Sequence, residues 1–337
     1  MATHSSTARL THSFPVKEAL NDLTPSIIPI TARAPTESLL IQSKKASTSG
    51  GSKPVRVTIP HGGPHTTLTT AFVPGIVALA LEGYTINLPN YTGSMGFGQT
   101  HIQTLLGHCG SMDVEDVAES VRELVRRGVS EEGRQVTMGS SLSLLITNTQ
   151  PYSTQHHSAT PSSQWANSHQ GLIFLIGFML NPGFRPPTLT SPTPYSLTPP
   201  PSNSNSPTSD APTPPTPLMT PQTYNTLFTA SPIAHVDNIT APVLIFIGED
   251  DLRVVPGQGI GFYHAIKGRV GGTGNAIWDG DANITGTGET GTEKDKTKGI
   301  VEMLSFPRDS HGIEGVEAAR VSREAMRDWF KAFAAGS

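Results

Sequence analysis

A chain of 337 residues with a net charge of −4 can bury a sizeable core, as one large or two ordinary domains. It offers no electrostatic footprint for nucleic acid, and no basic cluster is interleaved with aromatics. Its one cysteine, Cys109, excludes an internal disulfide framework and fits a reducing, cytosolic compartment, while no run reaches the ~20 apolar residues that span a bilayer. Only 36% of the residues are hydrophobic and 15% charged, so part of the chain is neither core nor charged surface. Fourteen of the 29 prolines fall in 182–221 among many Ser and Thr, and this stretch is expected to be a disordered or polyproline-II-like insert. Residues 268–298, rich in Gly and Thr, are expected to form a flexible loop.

In chain order, the first 17 residues lack acidic side chains and carry Arg9 and Lys17. They suit a transit peptide or a plain disordered terminus, and the second reading is taken. The run Val55-Arg56-Val57-Thr58-Ile59-Pro60 predicts a buried strand ending at the turn His61-Gly62-Gly63-Pro64-His65. Residues 72–81 have helical spacing with Pro74 in the first turn. Tyr84-Thr85-Ile86-Asn87-Leu88 predicts the next strand, running into Asn90-Tyr91-Thr92-Gly93-Ser94 and Gly96-Phe97-Gly98. A helix is expected over 113–127, capped by Asp113, with Val114, Val117, Val121, Leu124 and Val125 on one face and Gly128 ending it. Strand 134–138 then leads into Gly139-Ser140-Ser141-Leu142-Ser143. The run 171–180 reads as a buried segment. Val243-Leu244-Ile245-Phe246-Ile247 is a continuous apolar strand ending at Gly248-Glu249-Asp250-Asp251, and a helix through Phe262 and Ile266 follows. A last strand, 300–304, runs to a loop holding His311, and a terminal helix spans 316–335. Strands alternating with helices, several buried on both sides, predict a mostly parallel sheet with helices on both faces and a ligand site at the carboxyl ends of the strands.

Acyl transfer needs a nucleophile, a base, a group that orients the base, and donors for the oxyanion. The chain offers Ser141, Asp251 and His311 at three strand ends, in the order Ser, Asp, His of an α/β-hydrolase. Alone, each residue type is more often structural: a serine after a strand is commonly a turn, Asp251 could cap the helix after Pro256, and a loop histidine is usually solvated. Their shared order and placement favour the catalytic reading. The elbow departs from G-x-S-x-G, because Ser143 fills the second glycine position.

The segments His61-Gly62-Gly63-Pro64-His65, Asn90-Tyr91-Thr92-Gly93-Ser94 with Gly96-Phe97-Gly98, and Gly107-His108 before Asp113-Val114 carry a resemblance that covers roughly 55–141 and 222–334. It continues through Ala230-Ser231-Pro232-Ile233, Gly248-Glu249-Asp250-Asp251-Leu252-Arg253-Val254 and Phe306-Pro307-Arg308-Asp309-Ser310-His311. Together these resemble the catalytic domain of the prolyl oligopeptidase family of serine peptidases, nearest its acylaminoacyl-peptidase branch. The resemblance implies an α/β-hydrolase fold and a triad of Ser141, Asp251 and His311. It also implies an oxyanion hole from the N–H groups of Gly63 and Leu142, and short N-acylated peptides as substrates, with no cofactor or metal. Residues 1–50 are then a partly disordered extension and 51–337 the catalytic domain, interrupted by 142–221. The family's N-terminal β-propeller is expected to be absent, since about 50 residues before the first core strand cannot build one.

Three readings follow. One is a cytosolic peptidase releasing N-acylated amino acids. Another is a non-catalytic homologue or interaction module with a damaged elbow, and the third a carboxylesterase. The family has arginine after the tyrosine where this chain has Thr92, and Gly-Gly-Ser-His-Gly-Gly where it has Gly139-Ser140-Ser141-Leu142-Ser143-Leu144. Ser168-His169-Gln170-Gly171 partly matches that missing motif, so Ser168 competes with Ser141 as the family's nucleophile position. Weaker signals carry no assignment. Asp279-Gly280-Asp281-Ala282-Asn283 begins like a calcium loop but has Ile284 and Thr290 at the required glycine and glutamate positions. His156 and His157 lack partners at ligand spacing. The three glycosylation sequons, at Asn90, Asn238 and Asn283, are read as chance, and Cys109 as a turn thiol. Membrane and nucleic-acid partners are not expected, and homo-oligomerisation is left open.

Overall fold

The computed structural model describes residues 14–44, 53–63, 65–106, 108–131, 133–140, 172–176, 221, 228, 231–239, 241–269, 277–278, 284–285 and 300–333. Ten strands are described: β1 Leu23–Pro29, β2 Glu37–Ser43, β3 Arg56–Thr58, β4 Thr85–Asn90, β5 Gln135–Ser140, β6 Leu172–Ile176, β7 Val243–Gly248, β8 Ile277–Trp278, β9 Ile284–Thr285 and β10 Val301–Phe306. The α-helices whose bounds are described are α1 Phe14–Asp22, α2 Pro74–Leu81, α3 Gln99–Thr104, α4 Met112–Arg126, α5 Pro256–Arg269 and α6 Val316–Phe333. Eight strands form one sheet in the order β1-β2-β4-β3-β5-β6-β7-β10, and β8 pairs with β9 separately. β1 runs antiparallel to β2, and β2 to β4. From β4 onward every neighbouring pair is parallel. This is the expected α/β-hydrolase fold.

Strand alternation explains why helices cover both faces. All six residues of β7 are buried. Val243, Ile245 and Ile247 pack with Phe262 and Ile266 of α5, whereas Leu244 and Phe246 join Trp329, Phe330 and Phe333 of α6. The same division holds at β4, where Ile86 and Leu88 share the α6-side core with Leu79 and Ala80 of α2. Its intervening residue, Asn87, faces α4 instead. Burying side chains of this size contributes roughly 1.5–3 kcal/mol each, so the terminal helix is held chiefly by its aromatic stripe. Gly128 ends α4 in a left-handed conformation at φ 67°, with Gly128 N–H donating to Val125 O and Val129 N–H to Leu124 O.

The face toward α4 carries buried polar groups that bond one another. Asn87, fully buried, accepts a hydrogen bond from Ser38 Oγ and donates to Thr58 Oγ1 at 3.3 Å and Ser120 Oγ at 3.1 Å. One amide thereby joins β2, β3, β4 and α4. Buried Arg56 similarly reaches Val121 O at 3.2 Å and bonds Ser130 Oγ.

Two features differ from the sequence reading. The sheet begins at Leu23, within the stretch expected as an extension, because β1 and β2 add to its edge. β1 escapes recognition because Pro25 and Pro29 interrupt it, and an edge strand tolerates missing N–H donors. The run 171–180, read only as a buried segment within the unmatched insert, supplies β6, which lies between β5 and β7. Residues 182–220 and most of 268–298 lie outside the described residues. Replacing Asn87 by Ala should cost on the order of 3 kcal/mol in urea unfolding, because the Ser38 hydroxyl loses its acceptor inside the core. Ser38→Ala should cost clearly less.

Candidate active site

The parallel strands bring several loops to one rim of the sheet, and two of them meet closely. β7 ends at Gly248 and β10 at Phe306, paired in register. The chains then approach so tightly that a Cβ on Gly248 would stand 2.4 Å from the Ser310 carbonyl oxygen and 2.6 Å from that of Asp309. The Asp250 N–H donates to Asp309 O at 2.9 Å across the same gap. Only glycine fits here, and it sets the distance between the two loops.

That approach unites two of the expected site residues. His311 Nδ1 lies 2.7 Å from Asp251 Oδ2, with side-chain exposures of 16% and 4% respectively. The other carboxylate oxygen accepts N–H groups from Arg253 at 2.8 Å and Val254 at 2.9 Å. Asp251 therefore turns its own loop rather than capping α5. Because the carboxylate can only accept, Nδ1 carries the proton, and Nε2 of the neutral ring keeps its lone pair for a substrate hydroxyl. Such an arrangement can take and return one proton.

A second loop group surrounds the turn after β3. Gly63 adopts φ 60°, a left-handed conformation that suits glycine. The preceding His61 is buried, and its ring stacks on Tyr91 with centroids 4.2 Å apart. Tyr91 Oη donates to His61 O at 2.8 Å, and Ser94 Oγ donates to Tyr91 O at 2.6 Å. Ser94 thus has no proton left for His61 Nε2, 2.7 Å away, so that nitrogen donates. Burial pushes the His61 pKa down, against the nearby backbone carbonyl of Gly62, and the ring stays neutral. Asn90 completes the turn by accepting the Leu68 N–H at 2.8 Å and donating to Leu68 O at 3.0 Å. At 2% exposure Asn90 is closed to glycosylation as the chain stands folded.

The loop after β4 is anchored to α4. Asp116, with a side chain 1% exposed, accepts the Thr92 N–H at 2.7 Å and pairs with Arg33. Arg33 and Asp116 were not singled out in the sequence as site residues, and Ser94 only as part of the Asn90–Ser94 motif. Their spacing along the chain carries no signal of this contact. Asp113 also departs from expectation. The helix starts one residue earlier, at Met112, and Asp113 lies inside it, accepting the Gly110 N–H at 2.7 Å. Burial is the main cause that raises its pKa to about 6. Cys109 donates its thiol to Asp113 at 3.7 Å, and burial pushes the thiol pKa well up, so the thiol stays protonated and inert.

Ser141, Leu142 and Ser168 lie outside the described residues, as do Pro64, His156, His157 and residues 279–283. β5 nevertheless ends at Ser140, immediately before Ser141. Among the described residues no group of three or more His, Cys, Asp or Glu is arranged to hold a metal ion.

A sequence model of the prolyl oligopeptidase family matches residues 71–149. The acylamino-acid-releasing enzyme of Rattus norvegicus is 29% identical over 262 residues, covering 78% of this chain and 29% of the enzyme. That of Arabidopsis thaliana is 23% identical over 308 residues, covering 90% and 33%. The chain is related to the prolyl oligopeptidase family. It spans about a third of the length of these curated relatives. The solved acylaminoacyl peptidase of Pyrococcus horikoshii superposes with a TM-score of 0.61 at 18% identity, over 96% of this chain and 43% of that one, a likeness of fold. The family match runs from α2 through β5 and includes Ser141. Asp251 and His311 lie beyond it. No described helix is long and apolar enough to cross a membrane.

Two outcomes are expected. Gly248→Ala should destabilise the chain by about 1–3 kcal/mol through forced backbone movement, and NMR of His311 should report a lost bond to Asp251. For Asp113, the folded chain holds the proton more tightly than the unfolded chain, whose carboxyl titrates near its ordinary ~3.9. Its contribution to stability is full below that value and is lost as pH rises through about 6. The stability of the native protein relative to Asp113→Asn should therefore fall by on the order of 3 kcal/mol between about pH 4 and about pH 7, read by chemical denaturation.

Proposed function

We propose that this chain is the catalytic portion of a cytosolic serine peptidase that releases N-acylated amino acids from short blocked peptides. The observation that carries the reading is the Asp251–His311 pair, bonded at 2.7 Å at the ends of β7 and β10, with Ser141 directly after β5 in the same sheet. The relationship to acylamino-acid-releasing enzymes supports the substrate class.

In this mechanism Ser141 Oγ attacks the scissile carbonyl while His311 Nε2 takes its proton. Asp251 holds the ring and stabilises the imidazolium that forms. The oxyanion receives N–H bonds from Gly63 and Leu142, each worth about 3–4 kcal/mol in the transition state. As the C–N bond breaks, His311 returns the proton to the departing amine, leaving an acyl-serine ester. Water then attacks that ester, again giving its proton to His311, and the acylated amino acid leaves as Ser141 is restored. A neutral acyl group in place of a free amine needs no carboxylate to receive it.

The second reading, a catalytically impaired homologue, is favoured by Ser143 and Leu144 standing where the family has glycines. Both readings meet one test on the full chain: fluorophosphonate labelling followed by peptide mass spectrometry. An adduct on Ser141 is expected, abolished by Ser141→Ala and His311→Ala and kept in Ser168→Ala. An adduct on Ser168 would move the nucleophile there, and none on folded protein would favour the impaired homologue. Release of acetyl-alanine from acetyl-alanyl amides is expected, and hydrolysis of simple esters alone would make the chain a carboxylesterase.

A further inference from the structure

The loop from Phe306 to α6 bends sharply on its way past His311. Arg308 has φ 65° and Ile313 φ 47°, both left-handed, and for the β-branched Ile313 that conformation is strained. Ile313 is nonetheless buried in the core, and its N–H donates to Ser310 O at 3.1 Å. Such a bend persists only where surrounding contacts hold it. One side chain spans it: Asp309 Oδ1 accepts the Gly315 N–H at 2.7 Å, six residues on, at the start of α6. The fit is close, because a Cβ on Gly315 would stand 2.7 Å from Asp309 Oδ2. The negative carboxylate also suits the amino end of α6, where N–H groups point outward. Meanwhile the Asp309 backbone belongs to the tight approach opposite Gly248, where its carbonyl accepts the Asp250 N–H at 2.9 Å. Asp309 thus ties three things together: the end of β10, the loop bearing Asp251, and the first turn of α6. His311 lies inside the closed segment.

We infer that Asp309 is a positioning residue for the base, acting through the loop to keep His311 Nδ1 on Asp251 without touching substrate. The inference rests on the proposed role of His311. Losing the tie frees the loop 308–315 to relax its two left-handed residues, and the ring swings off the carboxylate. A neutral amide oxygen can accept the same Gly315 N–H, so Asp309→Asn preserves the tie and Asp309→Ala does not.

The test uses the full-length chain and two readouts. The first is the far-downfield proton resonance of His311 Nδ1–H, assigned by its loss in His311→Ala, which reports the bond to Asp251 whether or not Ser141 is active. The second is steady-state hydrolysis of an acetyl-alanyl amide. Asp309→Ala is expected to keep its circular dichroism yet lose the resonance, with kcat lower by at least ~10-fold and KM nearly unchanged, as misplacement of a reacting group predicts. Asp309→Asn should restore both. The inference is overturned if Asp309→Ala keeps the resonance, if Asp309→Asn loses it equally, or if the native chain has none. It is also overturned if Asp309→Ala fails to fold while Asp309→Asn is native, since the tie then holds the domain and not the base. An inactive native chain with the expected resonance pattern would reject the peptidase reading while sustaining the positioning role.

Discussion

The bare backbone at Gly248 governs the candidate site, because it lets the loops after β7 and β10 come closer than any side chain would permit. Two carbonyls occupy the space a Cβ would need, and the Asp250–Asp309 backbone bond closes the gap. Asp251 and His311 then meet at 2.7 Å without either loop stretching. Burying a carboxylate is costly unless donors surround it, and Asp251 gains two N–H groups besides the imidazole. The contacts that offset the burial of the carboxylate are also those that fix the imidazole.

The turn bearing Gly63 is built on a different principle. No tight approach fixes it; side chains do. The stacked rings of His61 and Tyr91, the Ser94 hydroxyl and the Asn90 amide each bond backbone or one another. Asp116 then ties this group to α4 and, through Arg33, to the turn between β1 and β2. The N-terminal strands therefore do more than widen the sheet, since a charge they carry braces the loop next to the expected oxyanion donor.

Much of this was legible in the sequence, for definable reasons. β7 reads as a strand because six apolar or small residues in succession suit a layer covered on both faces, and α4 because its valines recur at helical spacing. Asp251 and His311 were visible because strand ends and residue order constrain them. By contrast, β1 is broken by two prolines, and β6 sits within a stretch that matches no family motif. The bond from Asp116 to Thr92 spans 24 residues and that to Arg33 spans 83, so no local pattern announces either. Gly248 was legible only as part of the motif ending a strand, because its necessity depends on a loop about 60 residues away.

The sheet order also separates the two halves of the proposed chemistry. Asp251 and His311 hang from β7 and β10, which are neighbours in register, and the described contacts that fix them lie in or beside those loops. Ser141 follows β5, with β6 intervening. An intact Asp251–His311 pair is compatible with either a working or a failed nucleophile. Under the proposed mechanism, with the imidazole tautomer set by Asp251, one condition on the nucleophile remains: a serine oxygen within hydrogen-bonding reach of His311 Nε2. The elbow's departure at Ser143 and Leu144 thus bears on the proposed nucleophile, while the proposed base and its carboxylate keep their 2.7 Å bond.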